Sequence, residues 1–161
     1  MKHTGIYIVL SGIALFFACD RAGLDNEDGK LITHSLCKNE KMLAADSNQT
    51  CVEYSYNLAE ETLSLKHINT AFNCCPDKLY CDIQIENDTI FLEESERKQD
   101  CLCMCLYDME AEVYGVKAQS YTVKYSEPYL GDAEELVFEI DLQIHPTGTY
   151  CVERTNYPWG L

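Results

Sequence analysis

Five cysteines crowd two short stretches of this chain: Cys74 and Cys75 are adjacent in NCCP, and Cys101, Cys103 and Cys105 alternate in CLCMCLYD. Thiols at that density can close disulfides, hold a metal ion or exchange electrons. Residues i and i+2 of a strand share a face, about 6.6 Å apart with parallel Cβ directions, whereas a disulfide wants its Cβ atoms about 3.8 Å apart. Neighbours among Cys101, Cys103 and Cys105 are therefore poor partners for one another. Each must look across to another segment, and Cys74, Cys75 and Cys81 are the candidates. Adjacent Cys74 and Cys75 point to opposite faces if extended, so only one of them naturally faces the same core as Cys103. Cross-strand and loop-closing disulfides are the leading expectation, each constraining the unfolded chain by about 2–4 kcal/mol, with leftover thiols behaving as small buried hydrophobes.

A thiolate metal centre is the alternative, with Cys74, Cys101, Cys103 and Cys105 as the four ligands of tetrahedral zinc or of a softer copper(I) site. Paired C-x-x-C knuckles are absent, however, and His67 and His145 are isolated in the sequence. The leading expectation is therefore no cofactor. The missing C-x-x-C motif and βαβ context also weigh against a thiol redox enzyme. A bond between Cys74 and Cys75 would form a strained, reducible ring.

Asp108, Glu110 and Glu112 form a line of carboxylates in YDMEAEVY, opposite Tyr107, Met109 and Ala111. Such a line could collect calcium or serve glycoside hydrolysis, but a solvated strand face is the expectation. His34, His67 and His145 show no Ser or acid partner at motif spacing. No Gly-rich phosphate loop, nucleophile elbow or metalloprotease motif is present. The chain does not read as an enzyme.

Residues 1–18 read as an export signal: Lys2 and His3 form a basic head, and Ile6 to Ala18 is an apolar run too short for the roughly 20 residues of a membrane-spanning helix. LFFAC, ending at Cys19, resembles a bacterial lipobox, whose cysteine becomes the lipidated first residue; Phe16 and Phe17 are bulkier than the commonest versions. The resemblance implies a membrane tether through acyl chains at Cys19. Residues 19–30 read as the lipidated cysteine and a flexible acidic spacer, and residues 31–161 as one domain. Loss of Lys2 with the signal leaves 11 basic against 27 acidic side chains, a net charge of −16. That balance argues against nucleic acid, which demands basic patches, and fits cations, basic partners or plain solubility. Export also favours disulfides. Apart from Cys19 the cysteines are Cys37, Cys51, Cys74, Cys75, Cys81, Cys101, Cys103, Cys105 and Cys151, an odd number, so at least one is free, intermolecular or bound elsewhere.

The elements that must position these sulfurs follow a period of two. Leu79, Cys81, Ile83 and Ile85 alternate with polar residues, END supplies a turn, and Ile90 and Leu92 point inward on a second strand, so residues 79–93 form a hairpin. Val52, Tyr54, Tyr56 and Leu58 share one face, as do Tyr121, Val123 and Tyr125. ELVFEIDLQIH is expected to be one eleven-residue strand with Leu136, Phe138, Ile140, Leu142 and Ile144 inward. The inward parity shifts between Leu63, Leu65, His67 and Ile68, Thr70, Phe72, which predicts a bulge. HSLCKNEKMLAADS is the best helix candidate. About eight strands make an all-β antiparallel sandwich, Ig-like or similar, the expected architecture, with a partly open barrel as the alternative. Cys51-Val-Glu-Tyr and Cys151-Val-Glu-Arg echo one another over too few residues to claim a repeat.

NCCP, a hairpin and then CLCMCLYD resemble small uncharacterised cysteine-rich lipoproteins of Bacteroidetes-type bacteria, over Asn73 to Val123. The resemblance implies a lipid-anchored, β-rich envelope protein, at the outer membrane on its periplasmic or surface face, and carries no assigned activity. Asp88-Thr89-Ile90 resembles the motif at which such bacteria attach O-linked sugars, which marks Thr89 as a modification site. The expected role is non-enzymatic, structural or partner-binding, with an envelope protein or glycan as partner. In that reading the clustered cysteines anchor the fold, and Tyr107 and Asp108 carry the central strand toward solvent.

Overall fold

A computed structural model describes residues 28–38, 48–97 and 101–155. Residues 1–18, read as a signal, Cys19 and most of the stretch read as spacer lie outside the described residues. Among the described residues nine strands run in chain order: β1 (Gly29–His34), β2 (Gln49–Asn57), β3 (Thr62–Asn73), β4 (Lys78–Glu86), β5 (Thr89–Arg97), β6 (Met104–Val113), β7 (Ser120–Ser126), β8 (Val137–Asp141) and β9 (Thr147–Glu153). They form two packed sheets, a five-stranded one ordered β1-β6-β3-β2-β9 and a four-stranded one ordered β4-β5-β7-β8. The fold is an all-β sandwich, not closed into a barrel. Strand β1 begins at Gly29, so it takes up the end of the stretch read as spacer.

Alternating apolar positions meet between the sheets: Val52, Leu63, Leu65 and Phe72 face Ile83, Ile90, Leu92 and Val123, all at most 2% exposed. The hairpin of β4 and β5 closes through Asn87 and Asp88, where Glu86 pairs with Thr89 and Asn87 takes a positive φ of 55°. Pairings between neighbouring strands are antiparallel except β5 with β7, which run parallel. Between them the chain crosses to the other sheet as β6, a connection that alternation cannot reveal.

The eleven-residue strand is corrected. Strand β8 ends at Asp141, whose carboxylate accepts the backbone N–H of Gln143 at 3.0 Å and of Ile144 at 3.3 Å. The side chain diverts the backbone into a turn, leaving Leu142 buried and Ile144 67% exposed. Asn57 acts likewise after β2, accepting from the N–H of Ala59 at 3.0 Å, so Leu58 swings out to solvent. The described part of the helix candidate is extended. His34 ends β1, and the N–H groups of Ser35 and Lys38 donate to Asp108 and Leu106 of β6; residues 39–47 lie outside the described residues.

The expected bulge is present. The register of β3 on β6 steps between Ile68 and Thr70, and Asn69 sits there with φ 66°. Its backbone N–H donates to Asp108 at 3.1 Å and its side chain to the Gln49 carbonyl at 2.9 Å. The consequence reaches the interior, because the step turns both His67 and Thr70 inward, where they are 1% and 0% exposed.

Candidate functional site

The sulfurs pair as Cys37–Cys105, Cys51–Cys151, Cys74–Cys103 and Cys75–Cys101, and Cys81 is a buried free thiol. Cys101, Cys103 and Cys105 each reach another segment, two of them to the adjacent pair. Cys105 goes instead to Cys37, 68 residues away, because Cys105 points into the core and the segment after β1 lies along β6. Of the four residues considered as a metal set, Cys105 is thus drawn elsewhere and Cys75 stands in its place. The Sγ atoms of Cys74, Cys75 and Cys101 lie within 4.8 Å of one another. Burial and the negative charges of Glu94 and Asp82 push the Cys81 thiol well up, so it stays protonated and inert. The CVEY and CVER echo marks facing strands, since Cys51 and Cys151 are register partners.

Asn73 organises this end of the sandwich. Its backbone N–H donates to Glu96 at 2.9 Å, its amide to the Cys101 carbonyl at 2.8 Å, and its Oδ1 accepts the Cys75 N–H at 3.0 Å. Its carbonyl accepts from the Tyr107 hydroxyl at 3.1 Å. Tyr107 is therefore turned into the core, 3% exposed, rather than toward solvent. The next residue along β6, Asp108, faces outward and is held by Lys38.

Sequence reasoning missed a polar cluster sealed between the sheets. His67 on β3 donates from Nδ1 to Glu94 Oε1 of β5 at 2.8 Å, and Thr70 donates to the other carboxylate oxygen at 2.8 Å. The bulge creates this two-pronged grip, because without the parity step Thr70 would face out. The Thr50 hydroxyl donates to the Ile68 carbonyl at 2.9 Å. Its one proton thus committed, it accepts from His67 Nε2, 2.9 Å away. Both ring nitrogens then carry protons, and the ring is an imidazolium. Burial by itself opposes that charge, but the charge and hydrogen bond of Glu94, with the charge of Glu127, outweigh it and raise the His67 pKa above its usual value.

Glu127, just beyond β7, has its Oε1 3.9 Å from His67 Nε2 and its Oε2 bonded to Arg154 at 2.6 Å. Burial raises its pKa, against the pull of His67 and Arg154. Arg154 also donates to the Glu134 carbonyl, and Tyr125 packs its ring 4.8 Å from the His67 ring. Two cations face two carboxylates, so the cluster closes neutral. The side chains of His67 and Glu94 are each 1% exposed, out of a substrate's reach. The available signal was inward parity: His67 and Glu94 occupy inward positions within β3 and β5, and Thr50, Glu127 and Arg154 inward positions at or just past strand ends.

Of the carboxylate line, Glu110 and Glu112 lie in a hollow of about 540 Å³ on the outer face of the five-stranded sheet, lined also by Glu53, Ser64, Lys66 and Thr149 among others. Lys66 pairs with Glu110 at 3.2 Å, and that hydrogen bond, against a small cost of burial, raises the lysine's pKa. Glu112 accepts from the Tyr114 hydroxyl at 3.0 Å. The expected solvated face is therefore concave, with Glu53, Glu110 and Glu112 against Lys66. His145 lies in a separate hollow beside Asp88, Glu139 and Asp141. Thr89 is half-buried at the start of β5, just past the turn. No protein-family model, curated protein or solved structure matches this chain.

Proposed function

We propose that this protein is an exported, lipid-anchored, non-enzymatic domain of the cell envelope that holds a basic segment of a partner protein in the hollow of its five-stranded sheet. The hollow is the observation that carries the reading: a concave acidic surface borne on a disulfide-linked sandwich. Its facing charges, three carboxylates to one ammonium, sum to −2 on a chain of net charge −15, which favours a cationic occupant and speeds its encounter. The four disulfides support an oxidising compartment, and the LFFAC stretch supports a tether at Cys19. The non-enzymatic role draws support from the His67–Glu94 pair, which no substrate can reach.

Binding of an extended oligolysine peptide, followed by calorimetry at two salt concentrations, tests the reading. Glu110→Gln with Glu112→Gln is expected to weaken binding at least tenfold. Glu93→Gln with Glu139→Gln, which removes the same charge from the outer face of the other sheet, is expected to change it less than twofold. Equal losses from both pairs would reduce the effect to overall charge and remove the hollow as a site.

A further inference from the structure

Two disulfides, Cys74–Cys103 and Cys75–Cys101, bridge the same two segments side by side. We infer that their four sulfurs form a redox-gated metal site, masked when oxidised and taking a thiophilic cation of the zinc class when reduced. This proposal is independent of the hollow.

Three of the four Sγ atoms, those of Cys74, Cys75 and Cys101, already lie within 4.8 Å of one another, and the fourth is bonded to one of them. A tetrahedral zinc–tetrathiolate, with bonds of about 2.3 Å, has sulfur–sulfur edges of about 3.8 Å. Closing onto an ion therefore needs side-chain rotation and small shifts rather than rebuilding of the segments.

The segments are also joined without their sulfurs. The Cys74 N–H donates to the Cys103 carbonyl at 3.0 Å, and the Asn73 amide reaches Cys101 at 2.8 Å while Asn73 Oδ1 holds the Cys75 N–H at 3.0 Å. These bonds survive reduction and keep four thiols together. Reductant has access as well: Cys74, Cys75 and Cys101 are partly exposed and Cys103 is exposed.

The chemistry balances with a dithiol reductant. Two equivalents deliver four electrons and four protons, cleave both S–S bonds to four thiols, and leave as two disulfides of their own. Binding of the divalent ion then releases the four thiol protons. Reoxidation by two equivalents of a disulfide oxidant, each taking up two electrons and two protons and leaving as thiols, re-forms both S–S bonds and expels the ion, so metal and disulfides exclude each other.

The test is titration of the purified, reduced protein with cobalt(II) alone, under anaerobic conditions, with near-UV circular dichroism recorded on each sample. One equivalent is expected to produce the intense thiolate charge-transfer absorption of a tetrahedral site, bleached by one equivalent of zinc and absent before reduction. Cys75→Ser and Cys101→Ser are each expected to weaken binding at least tenfold, and the double variant Cys37→Ser/Cys105→Ser to retain it within about threefold. Three results would overturn the proposal: a reduced, folded protein with no such absorption; equal losses in the double variant and the single ones; or loss of the near-UV signal on reduction, which would show that the hydrogen bonds do not hold the sulfurs together.

Discussion

Replacing the buried ion pair one residue at a time should cost more than replacing it whole. The cluster carries two positive charges, His67 and Arg154, and two negative ones, Glu94 and Glu127. His67→Leu leaves it at −1 and Glu94→Leu at +1, in surroundings where His67 and Glu94 are 1% exposed. Removing one partner of a buried pair costs about 3–5 kcal/mol, because the other charge stays uncompensated. The double variant restores neutrality and leaves Glu127 paired with Arg154. Its main remaining loss is the Thr70 hydroxyl, which gives up its Glu94 acceptor, about 1–3 kcal/mol.

The assay is urea unfolding with the disulfides intact. With a slope of about 2 kcal/mol per molar, each single variant should lower the midpoint by about 2 M, and the double variant by about 1 M. The coupling between the two sites is then several kcal/mol and favourable. If the two single losses simply added in the double variant, His67 and Glu94 would be acting as packing alone, and the reasoning from charge compensation would be wrong.

The same cluster sets a pH dependence. The His67 pKa is raised in the folded state above 6.5 and that of Glu127 above 4.5, so in both cases the folded form holds the proton more tightly. Their contribution is full below those unfolded values and fades as pH rises through the folded ones, by up to about 1.4 kcal/mol per pH unit for each proton. Unfolding midpoints measured from pH 6.5 to 9 should fall and should flatten in His67→Leu; a wild-type midpoint that rises over this range would contradict the assignment. The nested bridges should prove redundant. Loops of 29 and 26 residues each constrain the unfolded chain by about 3.5 kcal/mol alone, but the second closes almost nothing more once the first is made. Converting Cys75 and Cys101 together to alanine should lower stability by about 1 kcal/mol or less, and converting all four by about 3.5 kcal/mol, read by the same unfolding assay; a full loss from the first pair would refute the redundancy. Gly29→Ala would set a Cβ 2.4 Å from the Glu112 carbonyl oxygen and 2.9 Å from Ile83 Cδ1, where one obstacle is backbone, so a loss of about 1–3 kcal/mol is expected; an unchanged melting temperature would show that β1 shifts freely on β6.

Much of the fold was written in local alternation. The parity of Leu79 to Ile85, of Tyr121 to Tyr125 and of Tyr107 to Ala111 determined which side chains face inward, and the break in parity near Ile68 foretold the bulge. These are properties of a pleated strand, whose side chains alternate whatever it pairs with. The parallel β5–β7 pair, the bond from Cys105 to Cys37 and the convergence of Glu94, Glu127 and Arg154 on His67 were decided only when the sheets stacked. Each depends on segments far apart in the chain, so spacing carries no trace of it. Alternation failed at Leu58 and Ile144 for a related reason, since Asn57 and Asp141 recruit backbone N–H groups and end their strands while the apolar pattern continues. The sequence by itself determined which residues turn inward; the tertiary structure decided which of them meet, because facing direction is local to a strand and partnership is a property of two strands at once.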